Sequence, residues 1–303
     1  MVHVLGVSMP RSGHHLLEMI LKNTLGDKFS YCEFYEDNCC KSIPCQSQTR
    51  KELAVNKLFL QKSHDFDFVD PISIPGTFRV VQYRSPVPRS LSNYELYLRN
   101  GVEDNIGTFR RFLVHEALYC CKFYKKWIEK PTSKLFILTY EELTGDPLRA
   151  VVHFFRYIKL PVDLDKLSEG IDQSIGRRGR DNAPFVPVEV LSHRYANYPV
   201  LANFEQIVLR NCPGYFPMRY FSSDDPDNSQ IGIIFRAKQA IDAADRELAI
   251  ALAEAAYAQD HDPALARLCD LARSMPAKSG CGGLRGLGAL PESGIRLDLE
   301  QRR

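Results

Sequence analysis

Val2-His3-Val4-Leu5-Gly6-Val7 runs into Ser8-Met9-Pro10-Arg11-Ser12-Gly13-His14-His15 and then into Leu16-Leu17, with Ile20, Leu21 and Leu25 following at helical spacing. The first six positions have the apolar pattern of a buried strand, and 14–25 carries the stripe of an amphipathic helix. A strand, a glycine-containing turn and a helix open a βα unit, and in parallel sheets that turn is where phosphates bind. The N–H groups that start a helix have no partner within it and together carry about half a positive charge. Arg11 adds a permanent cation, Ser12 a hydroxyl, and Gly13 permits close backbone approach. The turn lacks the GxxxxGK[ST] form of the common triphosphate loop, because its cation precedes the Ser-Gly pair.

The rest of the chain repeats the alternation of short apolar runs with amphipathic stretches. Strands are predicted over 57–62, 78–83 and 134–139, and helices over 89–99, 108–128 and 146–158. The expected fold is an α/β domain with a mainly parallel central sheet. With 303 residues and 45% hydrophobic content, the chain can bury one such core with material left for an appendage. Composition changes after Asp224-Asp225-Pro226-Asp227-Asn228. From Ile231 to Arg273 it is rich in Ala, Leu and paired charges, broken at His261-Asp262-Pro263, which predicts a helical hairpin within a C-terminal helical extension over 229–275. From Pro276 to 303, Gly and polar residues dominate, the composition of a disordered tail.

Charge and cysteine usage exclude several function classes. Lys plus Arg number 39 against 37 Asp plus Glu, a formal charge of +2, which gives no field for general nucleic-acid binding. Any anion site must come from local clustering. The nine cysteines form an odd set with two adjacent pairs, Cys39-Cys40 and Cys120-Cys121, the usage of a reducing compartment. Cys32, Cys39, Cys40 and Cys45 lack paired CxxC or HxH spacing, so thiols in a loop are expected and no metal site. There is no charged and apolar leader pattern, and no run approaches the ~20 apolar residues that cross a bilayer. A cytoplasmic protein without stable membrane insertion is the expectation. Phe123-Tyr124-Lys125-Lys126-Trp127 could touch a membrane surface, but a half-buried helix accounts for it better.

Pro10-Arg11-Ser12-Gly13, set between an apolar strand and Leu16-Leu17, resembles the 5′-phosphosulfate loop of the sulfotransferase family. The resemblance covers 1–222 and implies a P-loop type three-layer α/β/α domain there, with a mainly parallel central sheet. It implies 3′-phosphoadenosine 5′-phosphosulfate (PAPS) as co-substrate, no required metal, and transfer of a sulfuryl group to an acceptor hydroxyl. His14 and His15 stand where the family usually has hydroxyl residues; their ring N–H groups can also donate to phosphate. Arg84 at the end of the 78–83 strand and Ser92 eight residues later resemble the family's 3′-phosphate motif, a charge-assisted pair plus a hydroxyl. Arg177, Arg178 and Gly179 look like the counterpart of the Arg-Lys-Gly loop that closes over the same phosphate. Tyr140, in Tyr140-Glu141-Glu142-Leu143, resembles the element near adenine.

Sulfuryl transfer needs a base for the acceptor, cations for charge developing on the leaving phosphate, and near in-line geometry. Lys62-Ser63-His64 resembles the Lys-Thr-His of the cytosolic branch, which would make His64 the base and Lys62 the group assisting transfer. A histidine with an ordinary pKa of ~6.5 can accept a proton near neutrality. Glu33, in Cys32-Glu33-Phe34, is the rival base, placed where the tyrosylprotein branch carries a catalytic glutamate. Two other functions stay open: a phosphotransferase with Glu141 or Glu142 serving magnesium, and a catalytically silent scaffold whose helical extension binds partners. The acceptor is read as a small molecule, glycan or glycolipid.

Overall fold

The computed structural model describes residues 2–34, 36, 37, 39, 42, 45, 58–64, 76–129, 135–175, 194, 195, 198–213, 229–259 and 261–276. In chain order they form β1 (Val2–Ser8), α1 (His14–Leu25), a 3-10 turn (Gly26–Lys28), β2 (Phe29–Glu33), β3 (Leu58–Ser63), β4 (Thr77–Tyr83), α2 (Pro86–Arg99) and α3 (Ile106–Trp127). Then follow β5 (Leu135–Thr139), α4 (Tyr140–Gly145), α5 (Pro147–Tyr157), α6 (Leu164–Ser174), α7 (Pro199–Asn211), α8 (Gln230–Asp242), α9 (Arg246–Gln259) and α10 (Pro263–Ser274).

The strands lie in the order β2-β3-β1-β4-β5, and every neighbouring pair is parallel. β1 is central because both its faces are apolar. Alternate side chains divide between the two faces. Val4, Val80 and Leu138 turn toward Leu17 and Ile20 of α1, Phe154 of α5 and Leu167 of α6. Leu5, Val7 and Val81 turn the other way, toward Leu91 of α2, Phe109 and Leu113 of α3 and Phe204 of α7. The result is the expected three-layer α/β/α arrangement around a parallel sheet.

Helix α1 leaves β1 toward one face, whereas α2 leaves the adjacent β4 toward the other. A crevice therefore opens at the C-terminal ends of β1 and β4, the place where open parallel sheets bind ligands. Packing on the α1 side is close. A Cβ built on Gly170 of α6 would lie 2.6 Å from Thr24 Oγ1 and 2.9 Å from its backbone nitrogen, so only glycine lets α6 approach α1 this far.

The stretch 231–273 forms three helices where a hairpin was predicted. Besides the break at His261 and Asp262, Ala244 takes a left-handed φ of 55°, and the Asp245 N–H donates to the Ala240 carbonyl at 2.8 Å. This ends α8 in the geometry usually built with glycine, and alanine leaves no sequence signal for it. Helix α8 buries Ile231, Ile234 and Phe235 in the same apolar cluster as α3 and α7. Arg111 of α3 pairs with Asp262, whose carboxylate also accepts from the Ala264 N–H at 2.7 Å to cap α10. None of the helices among the described residues is long and apolar enough to cross a membrane.

Candidate active site

Five parallel strands put five C-terminal ends on one edge, and the residues singled out in the sequence gather there. Ser8 ends β1, Glu33 ends β2, Lys62 and Ser63 end β3 with His64 next, Arg84 follows β4, and Tyr140 follows β5. Lys62 stands in register with Glu33 on one side and with Gly6 on the other. Arg177, Arg178 and Gly179 lie outside the described residues.

The loop from Ser8 to Gly13 is held in an unusual conformation. Arg11 has φ 65° and Gly13 φ 83°, and the Leu16 N–H donates to the Gly13 carbonyl at 3.0 Å to start α1. A left-handed arginine costs about 1–2 kcal/mol, and strain of this kind collects at turns that grip ligands. Gly13 is required twice over, since its positive φ favours glycine and a Cβ there would sit 2.7 Å from Cδ2 of Tyr140. The tyrosine thus lies against the loop. Arg84 stacks on the same ring, with Cζ 4.1 Å from its centroid, which brings Arg84 to the same end of the sheet as the loop. Arg11 Nε donates to Ser92 Oγ at 3.0 Å, so the serine expected beside Arg84 is paired with the loop arginine.

Several buried polar atoms at this end have no hydrogen-bond partner among the described residues: Ser12 Oγ, Arg84 Nε and both ring nitrogens of His14, one of which carries a proton in the neutral ring. Unpartnered buried polar groups are costly, and donors converging beside two arginines suit an anion. His14 also stacks edge-on to His64, with ring centroids 4.9 Å apart, while His15 is 4.0 Å from His14 and bonds Glu18 at 3.3 Å. Burial, followed by the charges of Lys62, His15, His64 and Arg11, holds His14 well below the ordinary imidazole range, so it is neutral.

Lys62 occupies the centre. Its ammonium is 2.5 Å from Glu33 Oε1 and 2.5 Å from His64 Nε2, and its side chain is only 2% exposed. Because an ammonium can only donate, Nε2 of His64 must accept, and Nδ1 carries the proton that it gives to the Ser8 carbonyl at 3.0 Å. Burial, and then the Lys62 charge, push the His64 pKa down to about 3. For Glu33, burial pushes the pKa up, but the charge and hydrogen bond of Lys62 outweigh it and the carboxyl ends below its ordinary value. The site is therefore a carboxylate, an ammonium and a neutral imidazole in a row. His14, Glu33 and His64 have ligand atoms within 4.8 Å of one another, yet the ammonium already supplies the cation between two of them.

A supporting layer was not legible in the sequence. Tyr119 of α3 donates its hydroxyl to the His64 carbonyl at 2.9 Å. Beneath it Arg89 of α2 pairs with Glu116 of α3, and Glu116 also accepts from Asn93 Nδ2 at 3.1 Å and Ser90 Oγ at 3.2 Å. The Arg89 guanidinium lies 5.7 Å from the Tyr119 ring centroid. These contacts join α2 and α3 beside the C-terminal edge of the sheet. A lone Tyr or Glu on a helix face gives no sign of a partner 55 or 27 positions away.

No protein-family profile matches the chain, and no curated protein matches it. Among solved structures it is similar to mouse sulfotransferase SULT7A1 complexed with PAP, at 12% identity and a TM-score of 0.46, over 70% of this chain and 85% of that one. It is also similar to retinol dehydratase in complex with androsterone and inactive cofactor PAP, at 13% identity and a TM-score of 0.49, over 72% of this chain and 82% of that one. Both are similarities of chain path, and any chemistry assigned to this protein has to come from its own side chains.

Proposed function

We propose that the protein is a sulfotransferase that moves a sulfuryl group from PAPS to an acceptor hydroxyl. One arrangement carries the reading: the Lys62 ammonium buried between Glu33 and His64, beside an arginine-bearing phosphate loop at the C-terminal edge of a parallel sheet. The unpartnered donors of Ser12, His14 and Arg84 fit a co-substrate with two anionic ends. Arg11, Ser12, Gly13, His14, His15 and the start of α1 would hold the 5′ end. Arg84 and Ser92, with Arg177, Arg178 and Gly179, would hold the 3′-phosphate, and Tyr140 would lie against adenine.

The donor supplies a sulfuryl group on a phosphate: the acceptor O–S bond forms as the S–O bond to phosphate breaks, and the electron pair leaves on the phosphate. Lys62 turns from His64 toward that developing charge. Its departure frees the Nε2 lone pair and removes the largest charge that depresses the His64 pKa, so the imidazole can take the acceptor proton. The Nδ1–H bond to Ser8 keeps the ring in the tautomer that this step requires. Glu33, ionised, steadies the ammonium before and after it turns.

The acceptor is read as a hydroxyl-bearing small molecule, glycan or glycolipid. Incubating the protein with radiolabelled PAPS and a cell extract, then fractionating, identifies its class. With an acceptor in hand, His64→Ala should lower kcat by about 10²–10⁴, the usual contribution of a general base, while PAP affinity stays within a few-fold. Unchanged turnover in His64→Ala would transfer the role of base to Glu33. A phosphotransferase is disfavoured by the structural hydrogen bonds of the two candidate carboxylates, of which Glu142 closes a capping box with Thr139. Glu142 accepts from Thr139 N–H and Oγ1 at 3.0 and 2.9 Å, and Glu141 accepts from the Ser85 N–H at 3.1 Å. Strict magnesium dependence with ATP as donor would restore that reading.

A further inference from the structure

Three sulfur atoms converge just behind Glu33. Cys32, on β2, comes together with Cys39 and Cys45 of the following segment so that their Sγ atoms all lie within 4.8 Å of one another, Cys32 and Cys45 at 3.4 Å. Cys39 and Cys45 are each 5% exposed. Ser42 and Cys45 are fastened to the sheet by Gln61 of β3, which is in register with Cys32. Gln61 Oε1 accepts from the Cys45 N–H at 3.0 Å and Nε2 donates to the Ser42 carbonyl at 2.7 Å. The Glu36 N–H bonds the Glu33 carbonyl at 3.0 Å, and the Cys39 N–H bonds the Glu36 carbonyl at 3.0 Å, a turn that brings Cys39 back over β2. Phe59 and Phe34 pack around the sulfurs.

We propose that Cys32, Cys39 and Cys45 form a binding site for a thiophilic d10 metal ion of the zinc type, which pins the end of edge strand β2. Around zinc with Zn–S bonds of ~2.3 Å, tetrahedral thiolates stand about 3.8 Å apart. One sulfur pair stands at 3.4 Å and none is more than 4.8 Å apart, so an ion needs only small side-chain rotations. A disulfide would use two of the three and require them to close to ~2.05 Å. Burial, and then the neighbouring thiols, push the Cys32 thiol above its ordinary value, so the ion must displace protons and its affinity falls as pH is lowered. Since β2 pairs with β3 among the described residues and carries Glu33 next to Cys32, fixing Cys32 fixes the carboxylate that holds Lys62. The site does not depend on the proposed enzymatic activity.

The test uses the full chain, reduced, stripped with chelator and titrated with Co²⁺ and then Zn²⁺. Expected are one retained equivalent, sulfur-to-cobalt charge-transfer absorption that Zn²⁺ abolishes, and an X-ray absorption shell of three sulfurs at ~2.3 Å from the zinc. Cys45→Ser and Cys39→Ser should each weaken binding at least about 100-fold, since even outer partners of such ligands are worth 10–100-fold. Cys121→Ser, in the separate pair where Cys121 and Cys212 lie 3.7 Å apart, should leave it intact. A shell of nitrogen and oxygen that survives Cys45→Ser would place the ion on His14, Glu33 and His64 and overturn the proposal. So would the absence of a retained equivalent in the unsubstituted protein, or a Cys32–Cys45 disulfide found by peptide mapping without metal uptake. Should a serine variant fail to fold, the absorption shell of the unsubstituted chain still decides.

Discussion

At the scale of single residues, the charged groups argue for an anion more strongly than their types do. Arg84 has a buried Nε without a partner among the described residues and a guanidinium stacked on Tyr140. Arg84→Ala should weaken PAP binding by about 2–3 kcal/mol in calorimetry, the worth of a charged hydrogen bond. His64 gives a pH prediction with a definite sign. Its pKa of about 3 reflects burial and then Lys62, so binding an anion that draws the ammonium away must move it upward, because the protonated ring gains an opposite charge and loses a like one. NMR titration of the imidazole should show a clearly higher pKa with PAP present than without. Arg11, Lys62, His64 and Arg84 were legible because chain order placed each at a predicted strand end. The pairing of Ser92 with Arg11, and the Tyr119 bond to His64, join residues 81 and 55 positions apart and leave no local pattern.

At the scale of elements, the opening βα unit was readable because its strand is apolar on both faces and its helix has a single stripe. β2 escaped prediction since it is short and half-buried throughout, without the alternation of a strand that buries one face. Helices α6 and α7 escaped too. The contact of α6 with α1 rests on Gly170, which in a sequence argues against a helix. The turn between β1 and α1 depends on Gly13 lying under the Tyr140 ring. Gly13→Ala adds a Cβ 2.7 Å from that ring at a φ of 83°, and should cost about 1–3 kcal/mol in urea unfolding. Tyr140→Ala in the same chain should return the steric part and not the backbone part. A double-mutant cycle without coupling would show that the ring and the turn do not touch in solution.

At the scale of the whole molecule, the helices after Ser229 share a core with the sheet. Phe235 lies in the cluster that holds Phe109 and Leu91, so Phe235→Ala should destabilise the entire protein by about 3–5 kcal/mol in a single thermal transition. A separate early transition that spares the sheet would show that α8–α10 fold as a unit of their own. Composition revealed that these helices exist. It could not reveal their docking, because the Ile231, Ile234 and Phe235 stripe looks the same whether it faces its own hairpin or another layer.

His64 is fastened by two groups from outside its own strand, its ring by the main chain of Ser8 and its main chain by the Tyr119 hydroxyl. Ser8 begins the turn that would cradle the donor. Any swaying of that turn therefore carries the imidazole along, and the proposed base and donor would stay aligned through motions that would separate them had the imidazole been borne on an independent segment.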